Sequence, residues 1–132
     1  MKNKRNNFDE LVEVMQTLRS EKGCVWDKQQ THESLIKYLR EESEELIENI
    51  ESGNFGEDFK EELGDVLLQV LFHSQIACED GRFDIYDVID VLIKKLKFRH
   101  PHVFGDAKAA TSDEVIKIWK EMKKKEKAEK GK

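Results

Sequence analysis

The chain has 132 residues, 39% of them charged and 38% hydrophobic, with seven Gly, one Pro and two Cys. That length bounds it to one ordinary domain; the scarcity of Gly and Pro beside so many charges excludes a turn-rich sheet protein and predicts an all-α fold. The net charge of −5 conceals an asymmetry, since residues 41–65 hold eleven carboxylates against the single Lys60, while residues 117–132 hold eight Lys against three Glu. So acidic a centre argues against direct nucleic-acid binding and suits a site for cations and the polyphosphate they neutralise. The longest apolar runs, such as Val66-Leu67-Leu68 and Val70-Leu71-Phe72, fall far short of the roughly 18 residues of a membrane span. No apolar signal core follows the basic Met1–Arg5 start, and Cys24 and Cys78 are too few and too distant for a disulfide framework, so a reducing cytoplasm and no membrane partner are expected.

Five helical segments are predicted. From Phe8 to about Glu21, Leu11, Val14, Met15 and Leu18 recur on one helix face, and Gly23 ends the segment. Residues 24–30 are expected to form a loop, with Thr31 as N-cap of a second helix reaching about Ser52. A turn over 53–56 leads to a third helix from about Asp58 to Asp80, stopped by Gly81. Asp84 caps a fourth, which ends near Arg99 because His100 precedes Pro101. After a loop through Gly105, Thr111-Ser112-Asp113-Glu114 is a capping-box pattern opening a fifth helix. One domain is expected over 1–132, with residues 124–132 a frayed Lys-rich tail.

The second and third helices carry the chemistry. On the second, Leu35, Leu39, Leu46 and Ile50 share one stripe expected to be buried; Glu42 lies on its shoulder beside Tyr38, a turn before Glu45, and Glu41 meets Glu45 at i and i+4. On the third, Leu63, Val66, Leu67, Leu68, Val70, Leu71, Phe72 and Ile76 cover nearly the whole circumference, the pattern of a helix buried on most sides. A narrow polar stripe interrupts them: Glu62, Asp65, Gln69 and His73 fall within roughly 80° of one another. If Glu42, Glu45, Glu62 and Asp65 converge, each pair at about 5 Å repels by roughly 3 kcal/mol at an effective dielectric near 20, on the order of 20 kcal/mol together. Raised pKa values relieve part of that; a divalent cation relieves it directly, and all-oxygen donors suit Mg²⁺ or Mn²⁺.

These residues sit within a longer set of motifs. Gly23-Cys24-Val25-Trp26-Asp27, Gln30-Thr31-His32, Glu41-Glu42-Ser43-Glu44-Glu45, Glu61-Glu62-Leu63-Gly64-Asp65, then Arg99-His100-Pro101-His102-Val103-Phe104-Gly105-Asp106 and Trp119 occur in that order. In this the chain resembles MazG-type nucleoside triphosphate pyrophosphohydrolases over about nine tenths of its length. Val25 stands where that family usually has Pro. The resemblance implies a four-helix core that dimerises, binds Mg²⁺ and converts nucleoside triphosphates to monophosphate and pyrophosphate. It implies Glu42, Glu45, Glu62 and Asp65 as metal ligands, Lys95 and Arg99 as a phosphate-contacting pair, and Trp119 with Lys123 as nucleotide contacts.

On that basis two or more Mg²⁺ ions would grip the triphosphate, Glu42 or Glu41 would accept the proton of the attacking water, and Lys95 and Arg99 would offset charge on the leaving pyrophosphate. Trp26 is a further candidate substrate contact, by stacking. The alternatives are a helical dimerisation or regulatory module without turnover, or a pyrophosphatase narrowed to dUTP or a modified nucleotide. A homodimer is expected because long apolar faces in so small a domain leave area for association to bury; a tetramer is the other possibility.

Overall fold

The computed structural model describes residues 7–131, and among them every regular element is helical, so the all-α expectation holds. Seven helices occur: α1 (Asn7–Leu18), α2 (Val25–Gln29), α3 (Ile36–Glu51), α4 (Glu57–Glu79), α5 (Ile85–Arg99), α6 (Pro101–Phe104) and α7 (Ser112–Lys130). They fall into two compact units, the first ending at Ile85 and the second beginning at Tyr86.

In the first unit α4 is the centre, packed by α3 and by α1. Its core is Val12 and Met15 of α1, Leu35 at the foot of α3, and Leu71, Phe72, Ile76 and Ala77 of α4. Each large side chain buried there contributes about 1.5–3 kcal/mol. The hairpin between α3 and α4 closes at Gly53, whose φ of +72° an L side chain rarely adopts. Two of the five predicted helices begin and end within a residue of expectation, α4 and α5.

In this unit three local expectations fail. Residues 25–29 are not loop but one helical turn, α2, whose last carbonyls are satisfied by Arg19: its Nη1 donates to Asp27 O and Gln30 O. Thr31 does not cap α3, which starts only at Ile36. Instead the Thr31 and Ser34 side chains each accept from the other's amide, at 3.0 and 2.8 Å, closing a separate turn before the helix. The apolar circumference of α4 is also not buried throughout. Leu63, Leu67, Leu68 and Val70 remain exposed, as do Leu39 and Ile50 of α3, because α1 and α3 cover only part of α4 within one chain.

In the second unit Pro101 occupies the first turn of α6, a place where its missing N–H costs nothing, so the predicted loop contains a helical turn. Thr111 caps α7 as predicted, accepting from Glu114 N at 3.2 Å, while Glu114 reaches back one residue further to accept from Ala110 N at 3.0 Å. The helix runs on through Lys130, past the point where fraying was expected. Arg99 of α5 makes a two-pronged bond to Glu126 of α7, Nε to Oε1 at 3.2 Å and Nη2 to Oε2 at 3.0 Å.

Candidate functional site

Glu42 and Glu45 stand one turn apart on α3, and Glu62 and Asp65 one turn apart on α4. The tight hairpin sets the two helices antiparallel, so the two pairs come level. One carboxylate oxygen from each of the four lies within 4.8 Å of the others. Glu42, Glu62 and Asp65 are half-buried and Glu45 is exposed, so the group forms a cleft edge with one open side.

The electrostatics follow from that crowding. Burial first, then the charges of Asp65 and Glu45, pushes the Glu42 carboxyl up to about 7. Glu62 is raised as well, by burial and then by hydrogen bonding to and charge from Glu45. Oε2 of Glu42 and Oε2 of Glu62 are both buried with no hydrogen-bond partner. Two orphaned, desolvated carboxylate oxygens in a set of four hard donors are what a divalent cation satisfies, and the residues present fit one. This acidic cluster could hold a metal ion.

The other predicted residues are placed as follows. Glu41 is exposed on α3 beside Glu42. Trp26, carried by α2, is 46% exposed and meets Tyr38 of α3 and Phe72 of α4 edge-on, with ring centroids 5.5 and 6.3 Å away. Arg19 holds α2 in place: besides capping its carbonyls, it pairs with Glu79 (Nε to Oε2 at 2.8 Å, Nη2 to Oε1 at 3.0 Å) and lies over the Phe72 ring. In the second unit Lys95 and Arg99 line a cavity of about 380 Å³ with Phe98, Glu126 and Lys130. Trp119 packs edge-on against His100 at 5.3 Å, and Lys123 is exposed on α7.

Two pairings escaped the sequence, the partner of His73 and the brace that Arg19 makes. His73 is half-buried and its Nδ1 lies 2.7 Å from Nδ1 of His32, with the rings stacked. Burial and the neighbouring His32 hold the His73 pKa below its ordinary value. His73 was visible on the α4 stripe, but His32 lies 41 residues earlier and outside any helix. The Arg19 brace also left no periodic signal, because its partners are two carbonyls and a carboxylate on other elements.

Comparison with known proteins places this geometry in context. The family described as MazG nucleotide pyrophosphohydrolase domain matches residues 30–104, which include all four carboxylates. A Thermotoga maritima protein named nucleoside triphosphate pyrophosphohydrolase/pyrophosphatase MazG is 55% identical over 123 residues, 93% of this chain and 46% of that one. The Escherichia coli K12 nucleoside triphosphate pyrophosphohydrolase is 44% identical over 127 residues, 96% of this chain and 48% of that one. This chain therefore spans a little under half the length of either relative. The crystal structure of a mazG-related protein from Thermotoga maritima superposes with a TM-score of 0.71 at 30% identity, covering 88% of this chain and 98% of that one.

Proposed function

The chain belongs to the MazG nucleotide pyrophosphohydrolase family, and from that premise we propose that it hydrolyses nucleoside triphosphates, ribo or deoxy, to the monophosphate and pyrophosphate. The observation that carries this is the four-carboxylate cluster with its two unpartnered buried oxygens. Glu42, Glu45, Glu62 and Asp65 would hold Mg²⁺, with Mn²⁺ as substitute. Bound there, the ion supplies charge neutralisation for the polyphosphate.

The chain's own side chains do the rest. Glu42, or its neighbour Glu41, would accept the proton of the attacking water. Trp26, half-exposed, would stack against the base. We assign Lys95 and Arg99 to the phosphates and Trp119 with Lys123 to the nucleotide, and take 1–132 to work as one domain within a homodimer. No described helix is long and apolar enough to cross a membrane. Cys24 and Cys78 are free thiols, as suits a cytoplasmic enzyme of the nucleotide pool.

The test is pyrophosphate release from a panel of ribo- and deoxynucleoside triphosphates with Mg²⁺ titrated. Wild type should release pyrophosphate only with Mg²⁺ or Mn²⁺, and Glu62→Gln or Asp65→Asn should lower kcat at least about a hundredfold while remaining folded by circular dichroism. Full activity in EDTA would overturn the metal-dependent mechanism.

A further inference from the structure

The polar stripe of α4 continues beyond the carboxylates. Gln69 stands one turn past Asp65, about 6 Å further along the axis, at an angular position between those of Glu62 and Asp65. It is 5% exposed, yet its Oε1 has no hydrogen-bond partner. A buried acceptor left without a donor costs roughly 1–3 kcal/mol, a cost that Leu or Met at this position would avoid.

The surroundings say what kind of donor belongs there. Because α3 and α4 are antiparallel, Tyr38, one turn before Glu42, stands beside the part of α4 one turn after Asp65. Trp26 spans the two helices at this level, edge-on to Tyr38 and Phe72. The His32–His73 pair stands one further turn along. Carboxylates, buried amide and aromatic rings thus follow one another along a single face. A nucleotide held by its phosphates at the carboxylates extends its sugar hydroxyls and base beyond the α-phosphate, so its nucleoside half is the part that can lie one or more helical turns away along this face.

We propose that Gln69 is a specificity-determining residue whose Oε1 accepts a hydrogen bond from an N–H or O–H of the nucleoside half of the substrate. This rests on the carboxylate cluster being the polyphosphate site. The donor is a base amino or imino group or a sugar hydroxyl, and substrate analogues separate the two.

Wild type and Gln69→Leu are compared in kinetics on the four ribonucleoside triphosphates, their 2′-deoxy and 2′,3′-dideoxy forms, and inorganic triphosphate. Loss of one satisfied buried acceptor should raise KM about tenfold for nucleotides that carry the donor, with kcat nearly unchanged. The rise should vanish for the dideoxy forms if a hydroxyl is the donor, and persist in them but differ among bases if the base is. Calorimetric binding of the nucleoside monophosphates with Mg²⁺, which needs no turnover, should weaken by a similar factor, and thermal unfolding should show Gln69→Leu no less stable than wild type. Unchanged KM and Kd throughout, or an equal rise for inorganic triphosphate, would overturn the assignment. A wild type that binds nucleoside monophosphates through Gln69 but releases no pyrophosphate would refute the proposed hydrolysis and leave this inference standing.

Discussion

Glu42 is the residue at which fold and function pull against each other. Its carboxyl, ordinarily near 4.5, is held at about 7, so between those pH values the folded chain binds a proton that the unfolded chain has lost. Its contribution to stability therefore declines as pH rises from about 4.5 to about 7. His73 acts in the opposite sense, because its pKa lies below the ordinary 6.5 and its contribution is lost as pH falls through that region. The two are separable by substitution. In EDTA, Glu42→Gln should melt above wild type by a margin that is wider at pH 7.5 than at pH 5.5, as followed by circular dichroism. Melting curves that keep a constant separation at both pH values would show that Glu42 is not crowded in this way.

At the scale of elements, the site depends on how α2 is held, because α2 carries Trp26. That helix is too short to persist alone. Arg19, whose side chain is 8% exposed, supplies its anchor by bonding two carbonyls at its end while gripping Glu79 on α4. The pairing lowers the Glu79 pKa, so this contribution is present above about 4.5 and is lost as pH falls through the depressed value. Lys keeps the charge but not the planar fork. Arg19→Lys should therefore cost about 2 kcal/mol in urea unfolding, and should red-shift the tryptophan emission in a variant where Trp119 is replaced by Phe, because Trp26 gains contact with water. A cost near zero would mean that α2 is held by its aromatic contacts alone.

At the scale of the molecule, α4 shows two faces. The carboxylates and Gln69 occupy one, while Leu63, Leu67 and Val70 fall within about 60° of one another on the opposite side and stay exposed. A chain of this size rarely leaves such a stripe in water, and a second copy is the occupant that the proposed homodimer supplies. Sedimentation at micromolar concentration should give twice the chain mass, and Leu67→Glu should reduce it to one. A wild type that sediments as a monomer would remove the dimer from the proposal.

Much of this protein was determined by local pattern. Helical periodicity, Gly53 at the hairpin and the Thr111 cap each act within a few residues of chain, so the element types, and the carboxylate pairs spaced i to i+3, were legible without coordinates. The tertiary structure decided what depends on partners distant in sequence. It turned 25–29 into a helix through Arg19, delayed the start of α3 through the Thr31–Ser34 turn, paired His32 with His73, and left Gln69 Oε1 buried without a donor. It also showed how little of α4 one chain covers, because hydrophobic pattern tells which residues gain from burial but not how many neighbours are there to bury them.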